Sequence, residues 1–257
     1  MKDLSDYWDG VIGGIKNYHL NSDVAKYKRE EHINLLKKWA GDLVGKTVLK
    51  TDLFEEALGK DYFFDYLMKN SKNAIGMDIS NEIIKKAKKR FKSKNYVTSD
   101  VRKPPFKDNS FDLIISNSTL DHLPKEEMIT SLIELRRILK PKGALILTLD
   151  NKTNPLYHAG YLIQKLINNR LRQVRCYSIS EAKKIVEDVG FFVEETTAIV
   201  HLPTPFNKIA LLLERLNIKQ INNLIKRSIK ILRKVERKKT RYLTGWFVAL
   251  KCIKKKG

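Results

Sequence analysis

Residues 74–80 read Ala-Ile-Gly-Met-Asp-Ile-Ser, and residues 95–101 read Asn-Tyr-Val-Thr-Ser-Asp-Val. Each is a short apolar run ending on an acid, Asp78 in the first and Asp100 in the second. A third run, Phe-Asp-Leu-Ile-Ile-Ser-Asn at 111–117, ends on Asn117. Between the first two, Ser80 is a good helix N-cap, with Ile83, Ile84, Ala87 and Phe91 at helical spacing after it. Strand, helix, strand with an acid at each strand's carboxyl end is the pattern of an open parallel sheet, whose ligands bind at that edge. A carboxylate there can accept hydrogen bonds from a ribose diol or an exocyclic amine, so the two acids predict a nucleoside grip.

Outward from this stretch the alternation continues. Residues 47–52, Thr-Val-Leu-Lys-Thr-Asp, read as a first strand, and 55–69 as one helix. Ser22 or Asp23 is expected to cap a helix through about Trp39. Residues 111–116 are apolar enough for burial on both faces, 125–139 read as a helix, and Pro141-Lys142-Gly143 turns the chain into a fifth strand at 144–149. Beyond residue 150, a helix is expected over 157–168 and another over 181–189, capped by Ser180 and ended by Gly190. Strands at 191–200 and 246–253 follow. The chain thus predicts an α/β fold, a doubly wound, mostly parallel seven-stranded sheet. Residues 1–46 would form an N-terminal helical lid, 47–200 with 241–257 the main domain, and 201–240 a basic helical insertion before the last strand.

The chain has 257 residues, with 50 Lys and Arg against 29 Asp and Glu, a net charge of +21. Such an excess favours an anionic partner, although many of the lysines are scattered as in a composition-biased chain. Cys176 and Cys252 are the only cysteines, so neither a disulfide framework nor a cysteine metal site is expected, and a reducing, cytoplasmic setting fits. No His/Cys cluster has metal-ligand spacing, so no dedicated metal is expected. The amino terminus lacks a signal-peptide pattern, and no apolar run approaches the roughly 18–20 residues of a membrane span.

The ordered set Gly-Met-Asp-Ile-Ser (76–80), Ser-Asp-Val (99–101), Phe-Asp-Leu-Ile-Ile-Ser-Asn (111–117), Asp-His-Leu (121–123) and Leu-Arg-Arg-Ile-Leu-Lys-Pro-Lys-Gly (135–143) resembles the class I S-adenosylmethionine-dependent methyltransferases. The likeness is greatest to the broad group that modifies small molecules, quinones and lipids. It implies a Rossmann-like fold and S-adenosyl-L-methionine as cofactor. Asp78, with Ile79 beside it, would bind the ribose hydroxyls; Asp100 would accept from the adenine amino group, with the Val101 backbone reading a ring nitrogen. Asn117 would hold the methionine part. The family's glycine-rich turn after the first strand is missing: the chain reads Val-Leu-Lys-Thr-Asp-Leu-Phe-Glu-Glu-Ala-Leu-Gly at 48–59. There Thr51 and Asp52 are the candidates to meet the cofactor's methionine end, and Glu55 and Glu56 start the next helix, a favourable position for carboxylates.

Asp121 and His122 lie just past the fourth strand and are the candidate catalytic pair, His122 having a suitable unperturbed pKa for a base. Packing of His122 and capping of the helix near Lys125 by Asp121 are the competing structural roles. Tyr7, Trp8, Tyr18 and Tyr27 could line a lid or pack on the sheet edge. Asn154, Tyr157, His158, Tyr161 and His201 are candidates for an acceptor pocket. Residues 219–241 carry ten Lys or Arg and one acid. Ile221, Leu224, Ile225, Ile229, Leu232 and Val235 form a stripe among the charges, a basic amphipathic pattern. An anionic membrane surface, RNA phosphates and a solvated face packed on the domain stand as three readings. Nucleic acid is the less favoured partner, because the Asn/Asp-Pro-Pro-aromatic signature gives way to Asn-Ser-Thr-Leu at 117–120. The expected function is methyl transfer to a small, lipid-like or membrane-associated acceptor by a cytoplasmic or peripheral-membrane protein. A non-catalytic scaffold on a degenerate site and an RNA methyltransferase are the alternatives.

Overall fold

The computed structural model describes residues 4–14, 20–59, 63–91, 95–157, 159, 175–202, 204–214 and 219–255. Its strands are β1 (Thr47–Lys50), β2 (Asn73–Asp78), β3 (Tyr96–Thr98), β4 (Phe111–Asn117), β5 (Leu139–Asp150), β6 (Phe191–Ile199) and β7 (Phe247–Lys254). The helices of the first half are α1 (Leu4–Gly14), α2 (Ser22–Ala40), α3 (Phe54–Leu58), α4 (Phe63–Asn70), α5 (Asn81–Phe91) and α6 (Lys125–Ile138). Those of the second half are α7 (Ile179–Asp188), α8 (Thr204–Glu214), α9 (Lys219–Leu232) and α10 (Arg241–Thr244).

Alternation along the central strands divides the core. Val48, Leu113, Ile115, Ile146 and Ala249 face one layer, built on α2, α4 and α5. Leu49, Ile114, Leu145, Leu147 and Leu250 face the other, built on α6 and α7. Because successive side chains point to opposite faces of a strand, a doubly covered sheet needs such continuous apolar runs. The seven strands lie in the order β3-β2-β1-β4-β5-β7-β6. β1 to β5 pair in parallel, while β7 runs antiparallel to both β5 and β6. The order reverses beside β1, so the crevice for a ligand opens at the carboxyl ends of β1 and β4.

Several local expectations change. The helix expected over 55–69 is two, α3 and α4: the Glu56 carboxylate turns inward and accepts from the Phe64 amide at 3.2 Å, folding the second helix back on the first. α2 is capped by Asn21 rather than Ser22 or Asp23, its Oδ1 accepting from the Asp23 and Val24 amides. Asn21 also donates to the Ala210 carbonyl, so the cap tethers α8. α7 is capped by Ser178, not Ser180, in a capping box with Glu181. β5 begins earlier than expected, with Leu139 opposite Phe111. The helix expected over 157–168 falls almost wholly outside the described residues, as do Tyr18, His158 and Tyr161.

The insertion is not one amphipathic rod. α9 ends at Leu232, and residues 233–237 tighten into a 3₁₀ turn. Ile225 and Ile229 are buried, whereas Leu224 is 63% exposed, so the expected stripe is split. Arg233 turns inward: it pairs with Glu30 at 2.6 Å and Glu31 at 3.0 Å and covers the Tyr27 ring. Tyr27 is therefore part of the core, and its hydroxyl accepts from the His201 amide.

Candidate active site

Four acids gather at the carboxyl edge of the sheet. Asp78 closes β2, Asp150 closes β5, Asp52 sits in the loop after β1, and Asp121 sits in the 3₁₀ turn after β4. Asp52 acts electrostatically on both Asp78 and Asp121, and Asp121 acts on Asp150. Burial first, then these like charges, pushes Asp78, Asp121 and Asp150 up to about 7.

The glycine-poor turn is held by charges. Lys50, buried at the end of β1, donates to the Asp52 carbonyl and to Glu56 at 3.1 Å. The Asp52 carboxylate accepts from the Phe54 amide at 3.0 Å. Asp78 Oδ2 accepts from the Leu53 amide and Oδ1 from the Ser80 amide, both at 2.9 Å. Leu53 is buried against the backbone of β2: a Cβ at Gly76 would come within 2.9 Å of its Cδ2. Gly76 thus supplies in the strand the close approach that the turn itself does not provide.

α1 lies across this edge. Ser5 donates to the Ile79 carbonyl at 3.2 Å, and Asp9 accepts from the Ser80 hydroxyl and the Glu82 amide. Trp8 stands edge-on to His122, with ring centroids 5.0 Å apart, and also meets Phe54 at 6.3 Å. Burial beneath this cover lowers the His122 pKa, against the opposing pull of Asp150 and Asp52. Thr51 is buried and donates to Ser116 at 3.1 Å, and Asn117 takes a 3.5 Å contact from Thr148. A cavity of about 340 Å³ opens elsewhere, at the amino edge of the strands between Trp39, Lys46, Asp112 and Lys140, away from the acids.

Residues 54–147 match the family described as Methyltransferase domain. The chain is 27% identical over 218 residues to an uncharacterized protein of Methanocaldococcus jannaschii, covering 80% of this chain and 82% of that one. It is 25% identical over 128 residues to the malonyl-[acyl-carrier protein] O-methyltransferase of Hamiltonella defensa, 50% of this chain and 46% of that one. The fold is that of a crystal structure of a SAM-dependent methyltransferase from Thermotoga maritima, at 17% identity and a TM-score of 0.64, covering 98% of this chain and 100% of that one. Residues 54–147 are thus a methyltransferase domain, and the chain has the fold of S-adenosylmethionine-dependent methyltransferases. It is an enzyme, and S-adenosyl-L-methionine is its cofactor.

The methyltransferase's own residues fit such a group at the β2 edge. Each Asp78 oxygen uses one lone pair on a backbone amide and keeps another for a hydroxyl donor. Asp100 differs: Arg102 grips both of its oxygens through Nε and Nη2, and the Arg102 amide adds a further bond. Val101 is buried in the core behind it. Asp121 does not cap α6, whose N-cap is Pro124 with no side-chain bond. Instead its Oδ2 accepts from the Ser118 hydroxyl at 3.1 Å and the Asp150 amide at 3.0 Å.

Of the described acceptor candidates, Tyr157 alone joins the site, donating to Asp150 at 3.0 Å. Asn154 donates to the Thr244 and Gly245 carbonyls, and His201 Nδ1 lies 3.0 Å from the Thr244 hydroxyl, so both brace α10. Asp150, Ser118 and Lys50 were missed from the sequence. Asp150 carried a usable signal, an acid ending an apolar strand as at Asp78. Among the described residues no three His, Cys, Asp or Glu side chains gather to hold a metal ion.

Proposed function

We propose that this methyltransferase acts on a small-molecule acceptor seated at the carboxyl ends of β4 and β5. The observation that carries the reading is the convergence of Asp52, Asp78, Asp121 and Asp150 beneath α1 in a chain of net charge +21. Acids kept close despite mutual repulsion suit cationic and hydroxyl-bearing ligands. When bound, the cofactor supplies an electrophilic methyl group on a sulfonium cation.

In this reading Asp78 takes the ribose hydroxyls, with the Ile79 backbone beside them. Asp52 meets the amino group of the methionine end, and Thr51 and Asn117 border that end. Asp100 and Val101 flank the adenine, with the Asp100 carboxylate shared with Arg102. Asp121 and His122 are the groups available to take a proton from the acceptor; His122 is half-buried beside Trp8, and desolvation lowers its pKa and so favours the neutral ring that can accept one. Trp8 and Phe54 exclude water from the crevice.

The outer side of α9 supports an anionic membrane surface as a partner. Leu224 and Ile231 are 63% and 65% exposed, among the exposed Lys226, Arg227, Lys230 and Lys234. No described helix is long and apolar enough to cross a membrane.

The test is titration calorimetry with S-adenosylhomocysteine, followed by transfer of a labelled methyl group to a panel of small molecules. Micromolar binding that collapses in Asp78→Ala, with label entering a small molecule, is the expected result. Label entering only RNA would overturn the acceptor assignment.

A further inference from the structure

We infer that Asp121 and Asp150 form the recognition site for a positively charged amine on the acceptor, a deepening that rests on the methyltransferase reading of this edge. Ser118 Oγ lies 3.1 Å from Asp121 Oδ2 and 3.2 Å from Asp150 Oδ1. A hydroxyl carries one hydrogen, so it can donate to only one of these carboxyls. The other contact is a hydrogen bond only when that carboxyl itself holds a proton. Two buried carboxyls thus compete for one hydroxyl donor, and burial, with the charge of Asp121 beside Asp150, raises both to about 7.

The second oxygen of Asp121 points to a ligand. Asp121 is 0% exposed, and its Oδ1 has no hydrogen-bond partner. A buried acceptor left without a donor is costly, and an ammonium group supplies donor and countercharge together. Among the described residues the protein supplies neither to this oxygen. Among the described residues no Lys or Arg side chain bonds Asp121 or Asp150, although the chain carries 50 such residues. The charged and titratable groups around the pair are Asp52, His122, Tyr157, Cys176, Tyr177 and, further out, Arg175. Of these Arg175 alone is a fixed cation, and its backbone amide, not its side chain, binds the Asp121 carbonyl.

An amine enters as ammonium and must lose a proton before it is a nucleophile. The ionised carboxylate of the pair takes it: one N–H bond breaks, one O–H bond forms, and the electron pair stays on nitrogen. An acceptor presenting a carboxylate or phosphate to this pair would meet like charge.

The experiment titrates the full-length protein, with and without saturating S-adenosylhomocysteine, with methylammonium, 2-phenylethylamine and 2-phenylethanol at pH 6 and pH 8. An ammonium held by a buried carboxylate should bind roughly tenfold more tightly at pH 8 than the matched alcohol. That preference should shrink at pH 6, as the two carboxyls take up protons, and vanish in Asp121→Asn combined with Asp150→Asn. Equal binding of amine and alcohol, a preference indifferent to pH, or binding of neither amine by the wild-type protein would overturn the inference. The pH series needs no variant, so misfolding of the double substitution leaves the test intact. Failure to bind S-adenosylhomocysteine would instead count against the cofactor assignment, which the amine titration does not measure.

Discussion

The Asp78 carboxylate holds the Leu53 amide at 2.9 Å, joining the end of β2 to the turn after β1 across the crevice. In this chain the turn has no glycine before Gly59. A carboxylate from the neighbouring strand fixes the turn's backbone instead, and Leu53 fills the space over Gly76. One residue thereby serves the fold and offers acceptors to a ligand.

Asp78→Asn should separate these roles. Asparagine has one carbonyl oxygen for two amide donors, so one buried N–H loses its partner, at about 1–3 kcal/mol of stability. Affinity for S-adenosylhomocysteine should fall by roughly tenfold or more, since hydrogen bonds to a charged acceptor contribute about 1.5–3 kcal/mol. Chemical denaturation and calorimetry on the same preparation check both. In the wild type, affinity should rise as pH climbs to about 7 and level off above it, following ionisation of Asp78.

Stability should fall as pH rises from about 6.5 through 7 and level off towards 8. Asp78, Asp121 and Asp150 are raised to about 7 in the folded state, above the ordinary 3.8, so between those values the folded chain binds more protons than the unfolded one. Their stabilising contribution is present at low pH and lost through about 7. His32, lowered to about 4 chiefly by burial, acts oppositely, but only between about 4 and 6.5. Thermal melts at pH 6.5, 7 and 8 should show a decline that is shallower in Asp121→Asn; a rise across that range would refute the assignment.

Trp8→Ala should expose His122. The Trp8–His122 edge contact is lost, about 0.5–1.5 kcal/mol for such a pair, and water reaches the imidazole. The His122 pKa should then move up towards 6.5, because burial is what lowers it. Proton NMR titration of the ring resonances would show the movement, and an unchanged midpoint would mean that Trp8 does not shield it.

Arg102→Ala should release Asp100. With Arg102 in place both carboxylate oxygens are engaged, so an adenine amino group competes with a guanidinium. Removing the guanidinium should raise discrimination between S-adenosylhomocysteine and its inosine analogue by roughly tenfold, as expected for a charge-assisted bond gained. Unaltered discrimination would place the adenine away from Asp100.

Exchanging Lys226, Arg227, Lys230 and Lys234 for Glu should abolish sedimentation with anionic vesicles, since each basic group near such a surface contributes about 1 kcal/mol. Leu224→Ser should weaken it without altering its salt dependence. Vesicle binding by the charge-reversed protein equal to wild type would remove α9 as the membrane contact.

Much of the fold was legible because it is written locally. Val48-Leu49, Leu113-Ile114-Ile115 and Leu145-Ile146-Leu147 are runs that only a sheet covered on both faces can use, and Ser80 announces α5 through its bond to the Ile83 amide. The misreadings arose where a side chain had a distant alternative. Glu56 turned inward to Lys50 and the Phe64 amide, Asn21 capped α2 while reaching Ala210, and Arg233 found α2, contacts that no propensity along the chain announces. Ser178 was different: its capping box with Glu181 lay in plain view three residues apart.

The acids at the strand ends were determined by the sequence itself, because strand period and apolar run length mark where each strand stops and so which residue reaches the ligand edge. Only the tertiary structure decided how those acids combine. The order of β1, β4 and β5 brings Asp150 within one serine of Asp121, α1 lays Trp8 on His122, and Arg102 closes on Asp100. Most of these meetings join separate strands, loops or helices, and their energies depend on burial and on neighbouring charge, neither of which exists until the sheet has assembled.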